Sequence, residues 1–167
     1  MTPSLVLPDV WPAVPEMVLA IFAMALLILG VLRGEGSTRL VSWLAVGGLI
    51  LVLLITELGA GERRVGFYGM FVTDAFALFM KALVLIGSAV TILMGMRHNE
   101  EQGIARFEFP VLVLLATTGM MVMISANDLI TLYVGLELQN LALYGLKMFC
   151  EIAHVQREAR QVPFDAH

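Results

Sequence analysis

Two ionisable residues fall inside long apolar runs, where a charge is costly. Glu137 sits in the middle of DLITLYVGLELQNLALYGL, residues 128–146, and Lys81 lies within DAFALFMKALVLIGSAVTIL, residues 74–93. An ionisable side chain at a bilayer centre costs about 2.5–3.5 kcal/mol on insertion scales, so it persists only with a partner or a task. Glu137 lies nine residues beyond Asp128, about 13–14 Å along a helix rising 1.5 Å per residue. That is close to the midplane of a hydrocarbon layer about 30 Å thick. Tyr133, Asn140 and Tyr144 fall one and two turns from Glu137 at helical spacing. The four make a polar stripe that must face protein or water, not lipid. Two chemistries fit. In one, the stripe is interhelical hydrogen-bonding glue around a neutral carboxyl, since burial disfavours the charged form. In the other, Glu137 belongs to a proton or ion path.

Lys81 admits a similar pair of readings. Asp74, seven residues earlier, shares its helix face, and Glu57 ends the preceding run on the same side. The expectation is a stem that snorkels outward to Asp74 or Glu57, with a conduction role as the alternative. Glu16, near the start of the first run, reads as interfacial.

The elements that must position these residues are set by composition. The 167 residues are 59% hydrophobic and 14% charged, with a mean hydropathy of +0.89. Soluble domains are about 45–50% apolar and about 25% charged, so this chain reads as a membrane protein. Five apolar runs are long enough to span: approximately 13–32, 40–58, 71–96, 109–126 and 128–150. The fold class expected is therefore all-α, a polytopic transmembrane bundle. It divides into an extracytoplasmic N-terminus at 1–12, a five-helix region at 13–150 and a polar C-terminal tail at 151–167. Asn127 alone separates the last two spans, so they form a tight hairpin, with Asp128 capping the fifth helix. No basic residue precedes the first run, unlike a secretory signal, so that span is expected to be retained.

Basic residues give an orientation. With the N-terminus outside, seven Lys and Arg lie on the inner side, against Arg63 and Arg64 outside. The tail EIAHVQREARQVPFDAH is too polar to span and reads as a cytoplasmic amphipathic segment or a disordered end. Thr117-Thr118-Gly119, Gly47-Gly48 and Gly87-Ser88 are packing signals, small enough to let helices approach closely. Cys150 is the only cysteine, which excludes an internal disulfide, and His98, His154 and His167 lack a second ligand at metal spacing. No nucleotide-binding or nucleophile motif is present. A net charge of −4 gives no basic footprint for nucleic acid.

The segment FEFPVLVLLATTGMMVMISANDLITLYVGLELQNLALY, 107–144, together with 74–93, resembles subunit N of the proton-pumping NADH–quinone oxidoreductase, respiratory complex I, in its alphaproteobacterial form. The resemblance runs from the N-terminus to about Tyr144; GLKMFCEIAHVQREARQVPFDAH after it departs from the family pattern. It implies an antiporter-like membrane subunit of a translocase in the bacterial inner membrane, in contact with lipid and with other membrane subunits of the complex. It also implies that NADH, FMN, iron–sulfur clusters and quinone are handled by other subunits, with no cofactor, redox chemistry or metal in this chain. By position in the motif, Glu137 is the glutamate that pairs, in the family, with a lysine on a later, broken helix. That lysine is not in this chain, so the chain alone is expected to be inactive. Two other functions fit the residues: a multisubunit cation/proton antiporter subunit, and a structural or assembly membrane protein without transport.

Overall fold

The computed structural model describes residues 13–33, 38–58, 64–66, 71–102 and 108–161. The expected N-terminus at 1–12 lies outside the described residues. Among the described residues, five helices follow one another: α1 (Val14–Arg33), α2 (Thr38–Leu58), α3 (Ala75–Gln102), α4 (Glu108–Ser125) and α5 (Leu129–Gln161). Each contains a stretch long and apolar enough to cross a membrane, and the chain is a multi-pass helical membrane protein. Between α2 and α3 stand two three-residue strands, β1 (Arg64–Gly66) and β2 (Phe71–Thr73), paired antiparallel with Val65 opposite Val72. Phe71 also bridges to Ala126, in the turn between α4 and α5.

Two boundaries differ from those expected. The third apolar run starts at 71, but Phe71–Thr73 is strand and the helix begins only at Ala75. Asp74 decides this: its Oδ1 accepts the Ala77 N–H at 2.8 Å and its carbonyl the Leu78 N–H at 3.0 Å, an N-cap that fixes the first turn. At the other end, the apolar span of α5 ends at Ile152, close to the expected Cys150, but the helix itself continues to Gln161. Residues 151–161 are thus helical rather than disordered: with no proline before Pro163 to break it, the helix propagates into the polar stretch. Asp128 caps α5 as expected, its Oδ1 accepting from Thr131 N–H at 3.3 Å.

α4 lies at the centre, packed against α1, α3 and α5. Its buried side spans Val111, Leu114, Thr117, Thr118, Met121 and Ser125. The core is closed by Leu19, Ala23 and Leu26 of α1, Val41, Ala45 and Leu49 of α2, and Leu85 and Ile92 of α3. The small residues act unequally. Gly119 and Gly135 bring the backbones of α4 and α5 together: a Cβ on Gly119 would lie 2.8 Å from both Gln139 N and Gly135 O. Gly48 makes room for the Phe22 ring, whereas Gly47 and Gly87 face open space. Ser88 and Thr117 meet across α3 and α4 with their hydroxyls 2.7 Å apart. Thr117 also lies 2.7 Å from the Val113 carbonyl. One hydroxyl proton cannot serve both, so Thr117 donates to the carbonyl and Ser88 donates to Thr117.

Candidate functional site

The buried side of α3 runs through Ala77, Lys81, Leu85, Ser88 and Ile92, at intervals of three or four residues. Lys81 thus occupies a core position, with 1% of its surface exposed. The expectation that it snorkels to Asp74 or Glu57 does not hold. The Asp74 carboxylate is occupied as a helix cap, and Glu57 is exposed at the end of α2. The rotation of α3 instead turns Lys81 inward to α1, where its Nζ lies 2.7 Å from Glu16 Oε1.

Glu16 is the corresponding correction. It is not interfacial but 4% exposed. On α1 the buried positions Glu16, Leu19, Ala23, Leu26 and Gly30 form one seam. Glu16, Ala23 and Gly30 recur every seven residues, two turns apart. That spacing is the signal that could have placed Glu16 inside; on a helix apolar all round it is faint. Ser125, the last residue of α4, completes the cluster by donating its hydroxyl to Glu16 Oε1 at 2.8 Å. No sequence feature singled it out. Glu16 Oε1 therefore accepts from both an ammonium and a hydroxyl, while its Oε2 is buried with no hydrogen-bond partner among the described residues.

Glu137 is placed quite differently. Among the described residues of α5, Gly135 and Ala142 are buried against the bundle. Glu137 is two residues on from Gly135, about 200° around the helix, so the contact that seats α5 turns the carboxylate away. Glu137, Tyr133 and Tyr144 are exposed on the outer face of the five helices, with Asn140 half-buried at its edge. The Tyr133 hydroxyl lies beside the Glu137 carboxylate, one turn away along the helix. No described cation forms an ion pair with Glu137. The two intramembrane charges singled out in the sequence are thus not brought together: Lys81 is paired inside, and Glu137 looks outward. Among the described residues, no three His, Cys, Asp or Glu side chains converge in a way that could hold a metal ion.

Comparison with known proteins gives this arrangement a context. No protein-family model matches the chain. Subunit N of NADH-quinone oxidoreductase from Rhodospirillum rubrum is 52% identical over 140 residues, 83% of this chain and 29% of that protein. Subunit N from Paramagnetospirillum magneticum is 52% identical over 142 residues, with 84% and 29% covered. Subunit N 1 from Rhizobium meliloti is 50% identical over 144 residues, with 86% and 30% covered. Among solved structures, a chain of respiratory complex I from Thermus thermophilus with bound aureothin superposes with a TM-score of 0.63 at 27% identity. That match covers 87% of this chain and 32% of the other. The chain spans about three-tenths of the length of the relatives it matches. The resemblance carried by residues 74–93 and 107–144 is thereby established at the level of sequence and fold alike: this chain is similar to subunit N of the alphaproteobacterial NADH-quinone oxidoreductases, and corresponds to less than a third of it.

Proposed function

We propose that the chain is part of a membrane subunit of the proton-translocating NADH:quinone oxidoreductase in the bacterial inner membrane. Its role there is in proton translocation coupled to electron transfer from NADH to quinone. The observation that carries this reading is the outward face of α5. A carboxylate near mid-membrane depth, flanked by Tyr133, Asn140 and Tyr144, is exposed on five helices that resemble part of subunit N. Facing lipid, that stripe would be costly; facing further helices of a full-length subunit, it meets protein and can pair with a cation there. Glu137 is then one half of an interhelical charge pair, its ionisation biasing the partner's hold on a proton. Redox chemistry and its cofactors reside in other subunits, so this segment supplies a proton-handling group and no electron carrier. Of the three functions open from sequence, the names of the relatives favour the oxidoreductase over a free-standing antiporter or a scaffold.

The test is Glu137→Gln in a full-length subunit assembled in the complex. Gln keeps the shape and removes the charge, so assembly and NADH oxidation by the peripheral part persist while proton pumping into vesicles falls several-fold. Glu137→Asp, which keeps the charge, gives a milder loss. Normal pumping by an assembled Gln variant returns the stripe to interhelical glue.

A further inference from the structure

We propose that Glu16, Lys81 and Ser125 form a hydrated ion-pair site, with water held on Glu16 Oε2, through which the buried lysine exchanges protons with the aqueous phase at the β-hairpin end of the bundle. The geometry supplies the reasons. Both charged side chains are at least nine-tenths buried, yet the carboxylate is only half satisfied. Lys81 Nζ and Ser125 Oγ both point at Oε1, at 2.7 and 2.8 Å, while Oε2 has no donor among the described residues. A buried carboxylate oxygen without a hydrogen bond is costly and rare. Lys81 carries three N–H donors, so a water bridging Oε2 to a second Lys81 N–H satisfies both groups. A buried water typically makes about three such bonds. Thr73 Oγ1, at the end of β2 beside the start of α3, is a second buried polar atom without a partner among the described residues, at the same end of the bundle.

The opposite side of the site is apolar. Leu85 lies one turn deeper on α3 and Met121 one turn deeper on α4, with 1% and 0% of their surfaces exposed. The next polar pair, Ser88 and Thr117, lies about 10 Å below Lys81 at 1.5 Å per residue. The water of the proposed site therefore exchanges through the hairpin end, where Ser125 closes α4, and not through the apolar layer below. The proton exchange needs no buried net charge. A Lys81 N–H bond breaks with its electron pair left on nitrogen, and an O–H bond forms from a Glu16 Oε1 lone pair; the ion pair becomes a neutral amine and carboxylic acid. The water then trades its own protons with either partner.

The chain contains only two lysines, Lys81 and Lys147, and Lys147 is exposed. The full chain is labelled with 15N-lysine and reconstituted in phospholipid vesicles. Solid-state NMR then follows magnetisation passing from water to the two ammonium nitrogens, which a Lys147→Arg variant assigns. The Lys81 ammonium should gain signal nearly as fast as Lys147, while the Lys81 backbone amide lags well behind. Ser125→Ala keeps the ion pair and frees an Oε1 lone pair, so the Lys81 ammonium should gain signal at the same rate or faster. A Lys81 ammonium as slow as its own amide, or slowed by Ser125→Ala, overturns the proposal and leaves a dry structural pin. The readout does not involve proton pumping, so it succeeds or fails independently of the role proposed for Glu137.

Discussion

Single residues in this bundle differ in what they do for stability and what they offer to function. Removing one partner of a buried ion pair leaves an uncompensated charge and costs about 3–5 kcal/mol, whereas replacing both with apolar groups is often neutral or better. Lys81→Met is therefore expected to lower the thermal midpoint of the detergent-solubilised chain sharply. Adding Glu16→Leu should restore most of the loss, leaving Ser125 as the residual deficit. A double variant as unstable as the single would mean that the pair contributes net stability. Glu137 should behave in the opposite way. Exposed on α5, it holds no part of the core, so Glu137→Ala should leave the melting midpoint of the chain unchanged. A marked drop would show the carboxylate to be structural. Glu137 was legible in the sequence because a lone charge in a long apolar run stands out. Glu16 was not, because a charge two residues into a span reads equally well as an interfacial residue.

Among elements, α4 and α5 depend on backbone contact. A methyl group on Gly119 would meet Gln139 N and Gly135 O, neither of which can rotate aside as a side chain can. Gly119→Ala should thus force the helices apart at about 1–3 kcal/mol, the usual cost of overpacking. Gly47→Ala meets nothing within 4 Å. It should be neutral or stabilise by about 0.5–1 kcal/mol, since alanine loses less entropy in a helix. Thermal unfolding of both variants decides the matter, and equal effects would refute the assignment. The sequence marked both as packing signals and could not rank them, because spacing shows which residues share a face and not which helix faces them. The same limit explains the hairpin. Two three-residue strands produce too short an alternation to recognise, and β2 is held partly by its bridge to Ala126, 55 residues away from Phe71.

For the whole molecule, the proposed orientation places the hairpin end outside. In a Cys150→Ser background, a cysteine at Gly61 should react with an impermeant reagent added outside cells, and one at Ser37 should not; the reverse labelling overturns it. Proton flux is a second whole-molecule property. A path needs ionisable or hydrated steps across the entire hydrocarbon layer, but Leu85 and Met121 separate Lys81 from the polar pair below it. Glu137 lies on the outer face with no cation among the described residues. Vesicles containing the chain should therefore match empty ones under a potassium-diffusion potential, and excess flux abolished by Glu137→Gln would show that five helices suffice. Composition and run length alone determined that the chain is a helical membrane protein, with five spans among the described residues, because the hydrocarbon layer fixes how long and how apolar each helix must be. The same residues located the polar stripe of α5, since helical spacing alone aligns 133, 137, 140 and 144. Which way each stripe turns was decided only by tertiary packing: helices apolar all round carry no inward mark of their own. The close contact of Gly119 with Gly135 rotates Glu137 outward, and the seams of α1 and α3 bring Glu16 and Lys81 together.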